Sequence, residues 1–170
     1  RRTGLDSTQA KGTEKYNGTW LTGGLFNVDD SALFNFDANA KICLLSDYIG
    51  NFEIQGFIKQ YFNKNKSSYI QANALIQSKA VNPFFSGYIG NHDIWKTDFK
   101  DTKTINIEGR YVNKKSRTEL GVGWSNIIDY VYFDTTAMPQ QTSKALIVLT
   151  AWGKQVFKAG HFRFDQTLYF

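Results

Sequence analysis

The sequence predicts an all-β protein, an antiparallel meander of about eight strands. Three observations predict it. Long runs alternate apolar and polar side chains with a period of two. Short turns rich in Lys, Asn and Ser separate the runs. Aromatic residues make up 16% of the chain, with 14 Phe, 9 Tyr and 4 Trp against only 2 Pro. Strands with one apolar and one polar face reconcile that aromatic load with so many Lys, Asn and Gln neighbours.

Residues 1–17 are polar and without period, which predicts a leader or loop ahead of a single segment spanning 18–170. From Ala32 the pattern sharpens: Phe34, Phe36, Ala38, Ala40 and Ile42 alternate with Asn35, Asp37, Asn39 and Lys41. The run YIGNFEIQGFIKQYF sets Phe52, Ile54 and Ile58 against Glu53, Gln55 and Lys59, with Phe57 and Tyr61 breaking the rule. KNKSS predicts a turn, and SYIQANALIQSK returns with Ile70, Ala72, Ala74 and Ile76 on one side. Residues 80–101 lose the period and crowd Phe84, Phe85, Tyr88, Trp95 and Phe99 beside Pro83, which predicts a long aromatic loop. Alternation resumes in KTINIEGRYVN, turns at NKKSR, and continues through RTELGVGWSNIIDYVYFD as one strand or two. A loop around Pro139 leads to KALIVLTAWGKQVF and then HFRFDQTLYF, whose Phe162, Phe164, Leu168 and Phe170 oppose His161, Arg163, Asp165 and Thr167.

Composition excludes several functions. One Cys gives no disulfide framework, and two separated His give no metal site. His92 beside Asp93 lacks a second ligand or a nucleophile, so loop hydrogen bonding is the simpler reading. The net charge of +5 is scattered over KGTEK, KNK and NKKSR, and the aromatics do not interleave with one basic patch, so nucleic acid is not the expected partner. Nothing approaches the roughly 18 apolar residues of a membrane helix. Strands of about 10 alternating residues remain compatible with a membrane wall.

Periodicity alone leaves two architectures open, a soluble β-sandwich with its apolar face inside and a transmembrane β-barrel with its polar face inside. Which side of residues 34–42 is covered separates them. Aromatics near the predicted strand ends favour the barrel, with Tyr48, Tyr111, Trp124, Tyr132, Trp152 and Phe170 as membrane-girdle candidates.

The order formed by LFNFDANAKI, YIGNFEIQGFIKQYF, NPFFSGYIGNHDIWKTDF, GWSNIIDYVYFDTTAMPQQ and AWGKQVFKAGHFRFDQTLYF resembles the putative outer-membrane porins of Bacteroidetes. The resemblance implies an antiparallel meander of a transmembrane outer-membrane β-barrel, a partial barrel of about eight strands within a longer chain. It implies location in the cell outer membrane, lipid and small hydrophilic solutes as partners, and no cofactor or catalysis. The expected function is a channel wall for passive diffusion; the alternative is a soluble β-sandwich ligand-binding domain. In the channel reading Asp37, Lys41, Glu53, Lys59, Glu108, Arg110, Arg163 and Asp165 line the pore, and Asn91, His92, Trp95 and Phe99 are constriction or loop candidates.

Overall fold

Alternation in the sequence becomes two-sidedness in the structure. The computed structural model describes residues 18–45, 48–90 and 94–170. The predicted leader at 1–17 and the loop candidates Asn91 and His92 lie outside the described residues.

The first four strands are β1 (Thr19–Asn27), β2 (Phe34–Leu45), β3 (Phe52–Tyr61) and β4 (Ser68–Lys79). A helical turn α1 (Pro83–Ser86) and the short strands β5 (Gly87–Ile89) and β6 (Ile94–Lys96) follow. Next come β7 (Thr102–Asn113), β8 (Thr118–Ile128), β9 (Val131–Phe133) and β10 (Pro139–Gln141), then β11 (Leu146–Ala159) and β12 (Phe162–Tyr169). Eight of these make one antiparallel sheet in the order β1-β2-β3-β4-β7-β8-β11-β12. β5 with β6, and β9 with β10, are separate two-stranded ribbons inserted at one rim.

Side-chain hydrogen bonds shape the short hairpins at the other rim. Asn63 Oδ1 accepts from Ser67 N at 2.9 Å, and Asn113 Oδ1 accepts from Lys115 N at 3.0 Å. Such Asx contacts satisfy turn amides that have no ladder partner. Gly160, with φ 59, supplies the left-handed residue at the β11–β12 turn.

Register sorts the side chains. Asn39 pairs Gln55, Gln55 pairs Leu75, Leu75 pairs Asn106 and Asn106 pairs Ser125, so these residues share one face. The opposite face carries Ala40, Ile54, Ile76, Ile105 and Asn126 in the corresponding rank. The polar face is the better covered: Asn35 and Gln71 are each 7% exposed, whereas Leu149 on the apolar face is 73% exposed. Among the described residues the buried apolar side chains are Cys43, Trp95 and Pro139, so no second large layer covers the apolar face.

The expected closure does not occur. Within the sheet β1 pairs with β2 alone and β12 with β11 alone, which leaves the sheet open. The expectation of a transmembrane outer-membrane β-barrel is corrected on this finding, and the channel wall for passive diffusion is corrected with it. A β-wall resides in lipid only when every strand edge is paired. Alternation is silent on closure, which depends on strand number, stagger and tilt around the whole ring. Along β2 the polar side, with Asn35 buried and Asp37, Asn39 and Lys41 half-buried, is the better covered.

Candidate functional site

The polar face holds a depression of about 330 Å³, lined among others by Asp37, Asn39, Gln55, Asn73, Asn106 and Glu108. Two adjacent cross-strand ranks build it. One runs Asp37–Phe57–Asn73–Glu108 and the other Asn39–Gln55–Leu75–Asn106. Phe57 and Leu75 are the large apolar side chains of the lining.

Hydrogen bonds fix the walls. On the β2–β3 side Gln55 Nε2 donates to Asn39 Oδ1 at 3.0 Å, and Asn39 Nδ2 donates to Asp37 Oδ1 at 2.5 Å. On the β4–β7 side Arg110 Nη2 donates to Gln71 Oε1 at 2.9 Å, Gln71 Nε2 to Asn73 Oδ1 at 2.8 Å, and Asn73 Nδ2 to Glu108 Oε1 at 3.4 Å. These chains orient the amides, so that each presents a defined donor or acceptor across the space between them.

Toward the rim that carries the inserts, Glu53 binds two cations: Lys41 Nζ at 2.9 Å and Lys79 Nζ at 3.1 Å. Hydrogen bonds from those lysines hold the Glu53 carboxyl below its ordinary value of 4.5. A carboxyl lowered in the folded state adds stability that is complete above its unfolded pKa and lost as pH falls through the folded value. The expected result is a urea midpoint that declines on acidification below about pH 4.5. Glu53→Gln should show a smaller decline; identical acid limbs in both proteins would refute the assignment.

The eight charged residues singled out from sequence all sit on polar-face positions. Asp37 and Glu108 line the depression, Lys41 and Glu53 form an ion pair at one end of it, and Lys59 and Arg110 flank Gln71 at the other. Arg163 and Asp165 are apart from it on β12, where Arg163 Nε donates to Asp165 Oδ1 at 2.8 Å. Trp95 belongs to an aromatic cluster between the inserts, and Phe99 lies half-buried in the segment leading to β7. Of the girdle candidates, Tyr48 follows β2, Tyr111 lies near the end of β7 and Tyr132 is in β9. Trp124 is mid-strand on the apolar face, and Phe170 pairs its backbone with Ala151. Trp152 is mid-strand on the polar face, over Gly121, where a Cβ would stand 2.3 Å from the indole.

Sequence reasoning passed over the amides Asn39, Gln55, Asn73 and Asn106, which outnumber the carboxylates at the site. The available signal was Phe57 and Leu75, two apolar residues on polar parity in neighbouring strands.

No group of three or more His, Cys, Asp or Glu side chains suited to a metal ion occurs among the described residues. No helix among them is long and apolar enough to cross a membrane. The large sheet is a single open antiparallel layer with a polar and an apolar side. Residues 3–170 match the family described as Putative porin, and the chain belongs to that family. It is thereby a member of a transport family and not of an enzyme family. Comparison with curated proteins and with solved structures gave no match.

Proposed function

We propose that this chain is a solute-binding sheet of the cell outer membrane, with its apolar face toward lipid and its polar face holding small hydrophilic solutes. The carrying observation is the amide-lined depression on the covered, polar side. Oriented amides and carboxylates offer the paired donors and acceptors that vicinal hydroxyls match, and Phe57 offers a surface to the C–H side of a sugar-like ring. Family membership supports the membrane and solute setting. A sheet lying at the lipid interface keeps both open edges within reach of water.

Calorimetric titration of the vesicle-bound chain with glucose and maltose tests this reading. Asn73→Leu with Asn106→Leu is expected to weaken binding about tenfold, because each removes a neutral hydrogen-bonding partner. Ile107→Ser, on the opposite face, should lower partition onto vesicles and leave saccharide affinity unchanged. Absence of saccharide binding, or equal binding by the double variant, would sink the proposal.

A further inference from the structure

Beyond the depression, toward the short-hairpin rim, three lysines converge on one pair of tyrosines. Tyr61 and Tyr69 face each other across β3 and β4 with ring centroids 5.3 Å apart. Lys59 Nζ lies 4.9 Å from the Tyr69 centroid and 5.8 Å from that of Tyr61. Lys66 Nζ is 4.9 Å from the Tyr61 centroid, and Lys114 Nζ is 5.9 Å from it. The lysines come from a strand and two different hairpins, which Lys114 N joins by donating to Ser67 O at 2.7 Å. Lys66 occupies a left-handed backbone position, φ 51, that favours glycine, and its ammonium donates to the carbonyl of Asp30.

None of these three ammoniums forms an ion pair with a carboxylate among the described residues. Tyrosine faces attract cations but leave their charge uncompensated. Arg110 stands in the same cross-strand rank as Lys59 and Gln71, and its Nε is a covered donor without an acceptor among the described residues. Two carboxylates stand near this group: Glu119, 3.7 Å from Arg110 Nη1, and Asp29, whose charge acts on Lys66 without a direct ion pair. Repulsion among converging cations is relieved by an anion that several of them share, and phosphate oxygens suit ammonium and guanidinium donors alike.

We propose that Lys59, Lys66 and Lys114, gathered around Tyr61 and Tyr69, form a binding site for a phosphate-bearing anion, distinct from the solute depression. Two sources offer that chemistry, a free phosphate and a lipid headgroup. The chain is titrated with inorganic phosphate in solution, and separately with vesicles of phosphatidylglycerol or of phosphatidylcholine. Lys59→Met with Lys66→Met is expected to weaken binding about tenfold. Lys100→Met with Lys144→Met removes the same charge at the other rim and should leave binding within about twofold. Lys59→Arg should retain it, and exposed Lys114→Met, which alters no strand, provides a second loss should the double variant fold poorly. Losses with inorganic phosphate support a soluble ligand; losses confined to phosphatidylglycerol vesicles support a headgroup. Equal weakening by the cluster and control pairs, or binding unchanged in Lys114→Met and the cluster pair, overturns the site.

Discussion

Trp95→Ala is expected to release the two inserted ribbons while the large sheet stays folded. Trp95 is 8% exposed, and its ring stacks on Tyr88 at 4.7 Å and meets Phe84 and Phe133 at 5.9 and 6.0 Å. Its Nε1 donates to Phe84 O at 3.2 Å. Phe133 comes from β9, so one indole joins the α1–β6 insert to the β9–β10 insert. Loss of a buried aromatic of this kind costs about 3 kcal/mol or more. Hydrogen exchange should speed up by roughly a hundredfold at residues 84–90, 94–96 and 131–141. Amides of β3, β4 and β7 should keep their protection, because the rings of the cluster, Phe84, Phe85, Tyr88, Trp95 and Phe133, all belong to the inserts. An equal loss of protection throughout the sheet would show that the aromatic cluster belongs to the same cooperative unit.

Gly56→Ala is expected to be the costliest small substitution in the sheet. A Cβ at Gly56 would stand 2.6 Å from Asp37 O and 3.1 Å from Ala38 Cα. Both are backbone atoms of the paired strand and cannot rotate aside, so β2 and β3 must part locally. Such overpacking costs about 1–3 kcal/mol. Gly109→Ala is the matched control, since its nearest neighbour would be Val122 Cγ2 at an ordinary 3.9 Å. It should be neutral or stabilise by about 0.4–1 kcal/mol through the unfolded chain. Urea midpoints of the two variants check this, and similar midpoints would refute the steric account. Gly56 also lines the depression, so under the solute-binding proposal saccharide affinity should fall in the first variant alone.

The faces of the sheet were legible in the sequence because a period of two maps directly onto the pleat. Phe34, Ile54, Ile76 and Ile105 sort to one side as their parity requires. β1 was not legible. In TWLTGGLFN its parity sets mix Trp20 with Thr22 and Leu25 with Asn27, Gly23 and Gly24 interrupt both, and the register shifts between Thr19 and Trp20. The predicted run through Tyr132 divides because Asp129 takes φ 58, ending β8 and sending β9 out of the sheet. Closure was illegible for a different reason: it depends on how the first and last strands meet, which no local pattern encodes. The depression was half legible. Its charges followed from alternation, whereas Phe57 stood out only as a break in the pattern and Leu75 not at all, until strand pairing placed both in the lining.

The strand order carries a consequence for how this chain acquires its structure. Every neighbour in the large sheet is the next long strand along the chain, with the inserts as side excursions. Each pairing therefore closes a short stretch of chain, most cheaply at the compact β3–β4, β7–β8 and β11–β12 turns. Assembly can begin at any of these hairpins and spread sideways one strand at a time, without threading or distant encounters. The wider gaps, at residues 80–101 and 129–145, are then where growth must pause until the sequence between the strands has found its own place.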